Sequence, residues 1–198
     1  MAGSSIQAAI RDLFDASVRA KQVFLDENAA ALERAINIVA DALEGGHKLL
    51  LFGNGGSAAD AQHLAAEFVG RFMRERRALP AVALTTDTSA LTAIANDYGY
   101  DEVFARQVRA LGARGDVALA ISTSGKSPSV LRAVDACREI GITTIGLTGG
   151  DGGALAGAVD VSLRVSASRL SPRIQETHIL IGHVLCELVD RRLFGESE

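Results

Sequence analysis

The chain has 198 residues, of which 48% are hydrophobic and 22% charged, with three prolines and no tryptophan. That length suits one well-filled core, or at most two small domains. A net charge of −4 leaves no basic footprint for nucleic acid, and no apolar run approaches the roughly 18 residues that a membrane span needs.

The start, MAGSSIQAAIRDLFDAS, has no basic stretch followed by an uninterrupted apolar core, so it does not read as a signal peptide. Ile6, Ile10, Leu13, Phe14 and Phe24 recur at near-helical spacing, and Leu32, Ala35, Ile36, Val39 and Leu43 repeat the pattern. This predicts two N-terminal helices, the second closed by Gly45-Gly46. The period then changes: the apolar run Leu49 to Phe52, before Gly53, suits a strand buried on both faces. Further strands are predicted over 81–85, 116–122, 142–148 and 159–165, with helices over 57–73, 88–97, 102–111, 128–140, 153–157 and 172–193. Pro172 fits the first turn of the last helix, where its missing N–H costs nothing. Strands alternating with helices imply parallel pairing through right-handed crossovers. The expectation is a three-layer α/β sandwich around a five-stranded parallel, flavodoxin-like sheet. Residues 1–198 read as a single domain, a helical segment (1–45) preceding the sandwich (46–198).

The basic run Arg71 to Arg77, interrupted by Glu75, reads as a solvated helix end. Cys137 and Cys186 are too few for a disulfide framework and sit in amphipathic stretches, where cysteine behaves as a small apolar residue. A reducing, cytoplasmic address follows.

In open parallel sheets ligands bind outside the carboxyl ends of the strands. The first strand ends in Phe52-Gly53-Asn54-Gly55-Gly56-Ser57, whose glycines let the backbone approach a ligand while Ser57 can cap the next helix. The loop matches neither the Walker A nor the dinucleotide pattern, and a ligand-free turn is the competing reading. The third strand leads into Ser122-Thr123-Ser124-Gly125-Lys126-Ser127-Pro128. One hydroxyl would suffice to cap a helix; four, with a glycine and a lysine, make a phosphate cradle. His63 and Glu67, four apart, share a helix face and can hold a metal, act as an acid–base pair, or form a surface ion pair. Spacing by itself favours the surface pair. Gln175, Ile179 and His183 step by four along the last helix, where His183 lies in an apolar stretch and reads as a core histidine. His178 points away from that line and reads as structural or as a subunit contact. Asn96-Asp97 offers hydroxyl-binding groups, or simply a helix stop.

Taken together, GNGGS at 53–57, DAQHLAAE at 60–67, STSGKS at 122–127 and RIQETHILIGH at 173–183 resemble the sugar isomerase (SIS) family. Within it they are similar to the sedoheptulose 7-phosphate isomerases, also called phosphoheptose isomerases, and the similarity spans nearly the whole chain. The resemblance implies that Asn54, Gly55, Gly56, Ser57, Asn96, Asp97 and Gln175 contact the sugar. Ser122, Thr123, Ser124 and Ser127 would grip its phosphate. His63, Glu67, Gln175 and His183 match zinc-site positions, one Zn²⁺ per subunit, and Glu67 and His183 the proton-transfer pair. Gln175 is a poor zinc ligand on general grounds and serves equally as a substrate contact. The implied reaction is ketose-to-aldose isomerisation through an enediol, the first step toward nucleotide-activated heptose for lipopolysaccharide core or a related glycoconjugate. A homotetramer with sites between subunits is also implied. Asp101 to Thr123 resembles as well the non-enzymatic partners of the bacterial replication initiator, which leaves a second reading. Such a binder has no need of Glu67 or His183.

Overall fold

The computed structural model describes residues 5–195. Five parallel strands form one sheet: β1 (Leu49–Gly53), β2 (Ala81–Ala83), β3 (Val117–Ile121), β4 (Thr143–Gly149) and β5 (Val161–Val165). Their spatial order is β2-β1-β3-β4-β5, with Leu49 opposite both Ala81 and Val117. This is the flavodoxin-like order, whose switch point lies between β1 and β3.

Side chains alternate strictly across the sheet, as a strand period of two requires. Leu49, Leu51, Val117, Leu119 and Ile121 face one core, built with α1 (Ile6–Glu44), α2 (Gly56–Val69) and α7 (Ser171–Phe194). Leu50, Phe52, Ala118 and Ala120 face the other, built with α3 (Thr88–Tyr98), α4 (Val103–Leu111), α5 (Pro128–Ile140) and α6 (Gly153–Ala158). Both strands nearest the switch point are buried throughout. The second core contains Val103, Phe104, Ala105 and Val108, so the Asp101–Thr123 stretch is largely scaffold.

Two boundaries differ from the sequence expectation. The N-terminal region is one helix of 39 residues, not two. Its polar middle, Asp26-Glu27-Asn28, contains no helix breaker. Buried Asn28 docks on the edge of β5 instead, its Nδ2 donating to the Arg164 carbonyl at 3.3 Å and its Oδ1 accepting from the Arg164 N–H at 3.3 Å. Before Ala20 the helix projects apolar side chains outward, with Ile6 81% and Phe14 71% exposed. The second difference is at α2, which stops at Val69 rather than near 73, leaving the basic run in the following loop.

Candidate active site

The β1–α2 and β3–α5 loops meet across the switch point through Asn54. Its Nδ2 donates to Ser127 Oγ at 2.7 Å and to Ser129 Oγ at 3.0 Å, and its Oδ1 accepts from the Tyr100 hydroxyl at 2.8 Å. The Asn54 side chain is therefore fully engaged within the protein and acts as a bridge between loops. Ser129 and Tyr100, which bear no sequence signal of their own, complete that bridge.

Ser57 does not cap α2. Gly55, at a φ of 57° that favours glycine, occupies the cap position, while Ser57 is buried in the first turn beside Gly53. Ser127 does stand at the cap position of α5, but its hydroxyl turns to Asn54 and makes no capping bond. Ser122 is buried, Thr123 half-buried and Ser124 exposed, with Ser124 Oγ accepting from the Lys126 N–H at 3.2 Å. A second glycine run supports this loop from behind: a Cβ on Gly125 would stand 1.9 Å from the Gly152 carbonyl oxygen, so neither chain can carry a side chain there. The run Gly149-Gly150-Asp151-Gly152-Gly153 was the signal for it. The hydroxyl loop, Gly149, Asp151, Lys126 and Arg169 border a small cavity of about 180 Å³.

On the other side of the first loop stand the ionisable groups. His63 and Glu67 share one face of α2, with His63 Nε2 3.4 Å from Glu67 Oε1. His183, half-buried on α7, directs its Nε2 to within 2.9 Å of the same His63 nitrogen, and the Phe72 ring packs on its imidazole. The fold thus brings His183 to a His63–Glu67 pair more than a hundred positions earlier in the chain, and His183 is not a core histidine. Gln175, two turns earlier on α7, lies against Gly56 so closely that a Cβ there would be 2.2 Å from its Nε2. Asp60, one turn before His63, has an Oδ2 that is buried without a partner among the described residues; burial pushes its carboxyl up and the His63 charge draws it down.

His178 is fully buried, its ring nitrogen 3.1 Å from the Thr148 carbonyl. A carbonyl only accepts, so Nε2 carries the proton, and burial lowers the imidazole to about 4 despite that bond. It is structural. Asn96 and Asp97 are exposed on α3, where Asn96 Nδ2 donates to Asp97 Oδ1 at 2.8 Å, and α3 has no buried residue. They do not join the His63 cluster within one chain.

Among the described residues no group of three or more His, Cys, Asp or Glu is arranged as a ready metal site. The donor chemistry of His63, Glu67 and His183 nevertheless fits zinc: two imidazole nitrogens and a carboxylate converge, with the Gln175 amide two turns before His183 on α7. Two nitrogens on one tetrahedral zinc stand about 3.4 Å apart, so from 2.9 Å the rings need to part by roughly half an ångström.

The SIS-domain model matches residues 13–149. The phosphoheptose isomerase of Thermodesulfovibrio yellowstonii is 51% identical over 96% of this chain and 94% of its own length, and that of Roseiflexus is 55% identical over 93% of each. The chain belongs to the SIS family, among its phosphoheptose isomerases. Solved structures of this group agree. The phosphoheptose isomerase of Neisseria gonorrhoeae superposes with a TM-score of 0.87 at 48% identity, covering 94% of this chain and 99% of that one. The Francisella tularensis protein gives 0.90 at 40% identity, covering 96% and 100%.

Proposed function

We propose that the chain is an aldose–ketose isomerase converting sedoheptulose 7-phosphate to D-glycero-D-manno-heptose 7-phosphate. The observation that carries this reading is the convergence of Glu67, His63 and His183 beside a glycine loop, with a hydroxyl-rich cradle across the same switch point. The name shared by relatives more than half identical supports the substrate.

Ser122, Thr123, Ser124 and Ser127 take the phosphate, and the Asn54 bridge sets the distance between that anchor and the β1 loop. Gly55, Gly56 and Gln175 line the sugar end. Glu67 removes a proton from C1 of the open-chain ketose while His183 gives one to the carbonyl oxygen at C2, forming a cis-enediol. Loss of the O1 proton and return of a proton to C2 then yield the aldose. His63, Glu67, His183 and Gln175 would hold one Zn²⁺, which when bound supplies Lewis-acid polarisation of the substrate carbonyl.

The reading extends to assembly. The exposed stripe Ile6, Ile10, Leu13, Phe14 and Val18, and an apolar groove of about 340 Å³ between α1 and α7, suit a homotetramer. In it Asn96 and Asp97 of one subunit face a neighbour's site. No helix among the described residues is long and apolar enough to cross a membrane, and both cysteines are free and buried, which suits a cytoplasmic enzyme. Its product would supply nucleotide-activated heptose for lipopolysaccharide core or a related glycoconjugate.

Glu67→Gln tests the reading: turnover is nearly abolished while substrate binding stays measurable, and unchanged turnover would overturn it. Full activity in verified metal-free protein would remove zinc from the account.

A further inference from the structure

The basic run contains one residue that the chemistry above leaves unused. Arg76 is not solvated: its side chain is 2% exposed, and its Nε lies 2.8 Å from Oδ1 of Asp190, itself 5% exposed. Helix α2 ends at Val69, so its last carbonyls have no partner within the helix. The Arg76 guanidinium supplies one. Nη2 donates to the carbonyl of Glu67 at 2.8 Å, and Nη1 to those of Phe68, Gly70 and Arg77 at 2.9, 3.1 and 3.0 Å.

The two ends of this clamp matter. One holds the backbone of Glu67, a turn beyond His63. The other holds Asp190 on α7, two turns beyond His183 and on the same helix as Gln175. A single buried fork therefore fixes the end of one site helix against the other. A lysine would keep the charge but not the planar fork that reaches four carbonyls and a carboxylate at once.

We propose that Arg76 is a positioning residue for the isomerisation, acting through the Glu67 backbone and Asp190 to hold Glu67 in register with His183. This rests on the reading of Glu67 and His183 as the proton-transfer pair. A group displaced by about 1 Å from its reacting position costs on the order of a hundredfold in rate, whereas the phosphate anchor on β3 and β4 lies away from the clamp and is left intact.

The test separates positioning from mere stability. In Arg76→Met/Asp190→Leu the buried ion pair is replaced by apolar groups of similar volume, an exchange that stability often tolerates; Arg76→Lys keeps the charge. Both are compared with wild type by thermal melting, kinetics on sedoheptulose 7-phosphate, and the ring-nitrogen resonances of His63 and His183. The double variant leaves no lone buried charge but strips the α2 carbonyls of their donor, so it is expected to fold and to melt below wild type, with kcat, read well below either melting temperature, down at least about tenfold and approaching a hundredfold. KM stays within about twofold, and the ring resonances shift. Wild-type kcat with unshifted resonances would overturn the proposal, as would kcat tracking melting temperature alone or failure of both variants to fold. An inactive wild type would refute the isomerase reading instead, and the resonances would still report whether Arg76 sets the histidine pair.

Discussion

Gly56→Ala separates the site from the scaffold. Gly56 is the first residue of α2, and its φ is not in the left-handed region, so alanine suits the backbone there. Its Cβ, however, would stand 2.2 Å from Gln175 Nε2 and 2.9 Å from Cδ. Restoring ordinary contact at 3.4 Å requires the amide to retreat by at least 1.2 Å. That atom is the far end of a flexible side chain, so the retreat is cheap, and alanine's helix preference offsets it by up to about 1 kcal/mol. Net stability should change by less than about 1 kcal/mol. Activity should not be spared, since a displacement of about 1 Å at a substrate contact costs on the order of a hundredfold, or about 2.7 kcal/mol in kcat/KM. The assay pairs urea unfolding with kcat/KM on sedoheptulose 7-phosphate. Gly55→Ala supplies the contrast in stability: nothing lies within 4 Å of its Cβ, yet its φ of 57° penalises any side chain by about 1–2 kcal/mol. Wild-type kcat/KM in Gly56→Ala would refute the role given to Gln175. A large loss of stability alongside activity would make Gly56 a scaffold residue only.

Other consequences follow from buried groups and surfaces. His178 is neutral in the fold with its imidazole lowered from 6.5 to about 4, so the unfolded chain binds the extra proton first. The associated stability is complete above about pH 6.5 and falls by about 3 kcal/mol as pH drops toward 4, a slope that urea titrations should show and His178→Leu should remove. Burial opposes the charge of Asp116, but bonds from Lys48 Nζ at 2.6 Å and from the Lys48 and Ala113 N–H groups prevail and hold its carboxyl below the ordinary value. Its contribution is therefore present above about pH 4 and lost as pH falls through the lowered value, and Asp116→Ala should cost about 2–3 kcal/mol at neutral pH. Phe14→Glu places a charge in the exposed stripe of α1; light scattering should find wild type near 83 kDa, four times 20.7 kDa, and the variant smaller. An unchanged mass would refute the interface.

The sheet was legible because its strands are continuous apolar runs such as Leu49 to Phe52, and the glycine and hydroxyl loops fall where an open parallel sheet binds ligands. What local pattern misjudged was set by distant partners. The apolar repeats ending at Phe24 and resuming at Leu32 read as two helices, whereas the helix runs on between them and β5 offers Asn28 a backbone edge. Arg76 reads as solvated until α7 supplies Asp190. His183 looks like a core residue because its neighbours along α7 are apolar, and only the approach of α2 gives it His63. Asn54 shows the converse: its type and position mark it as a sugar contact, whereas its amide is committed to Ser127, Ser129 and Tyr100.

Isomerisation by Glu67 and its histidine partners of a ketose phosphate held by the Ser122–Ser127 cradle is the activity proposed. It is tested most directly by incubating purified, zinc-replete protein with sedoheptulose 7-phosphate and following the sugar by NMR, with Glu67→Gln alongside. Wild type is expected to form the aldoheptose 7-phosphate steadily and the variant almost none. Absence of the aldose with wild type, or equal rates from the two proteins, would contradict it.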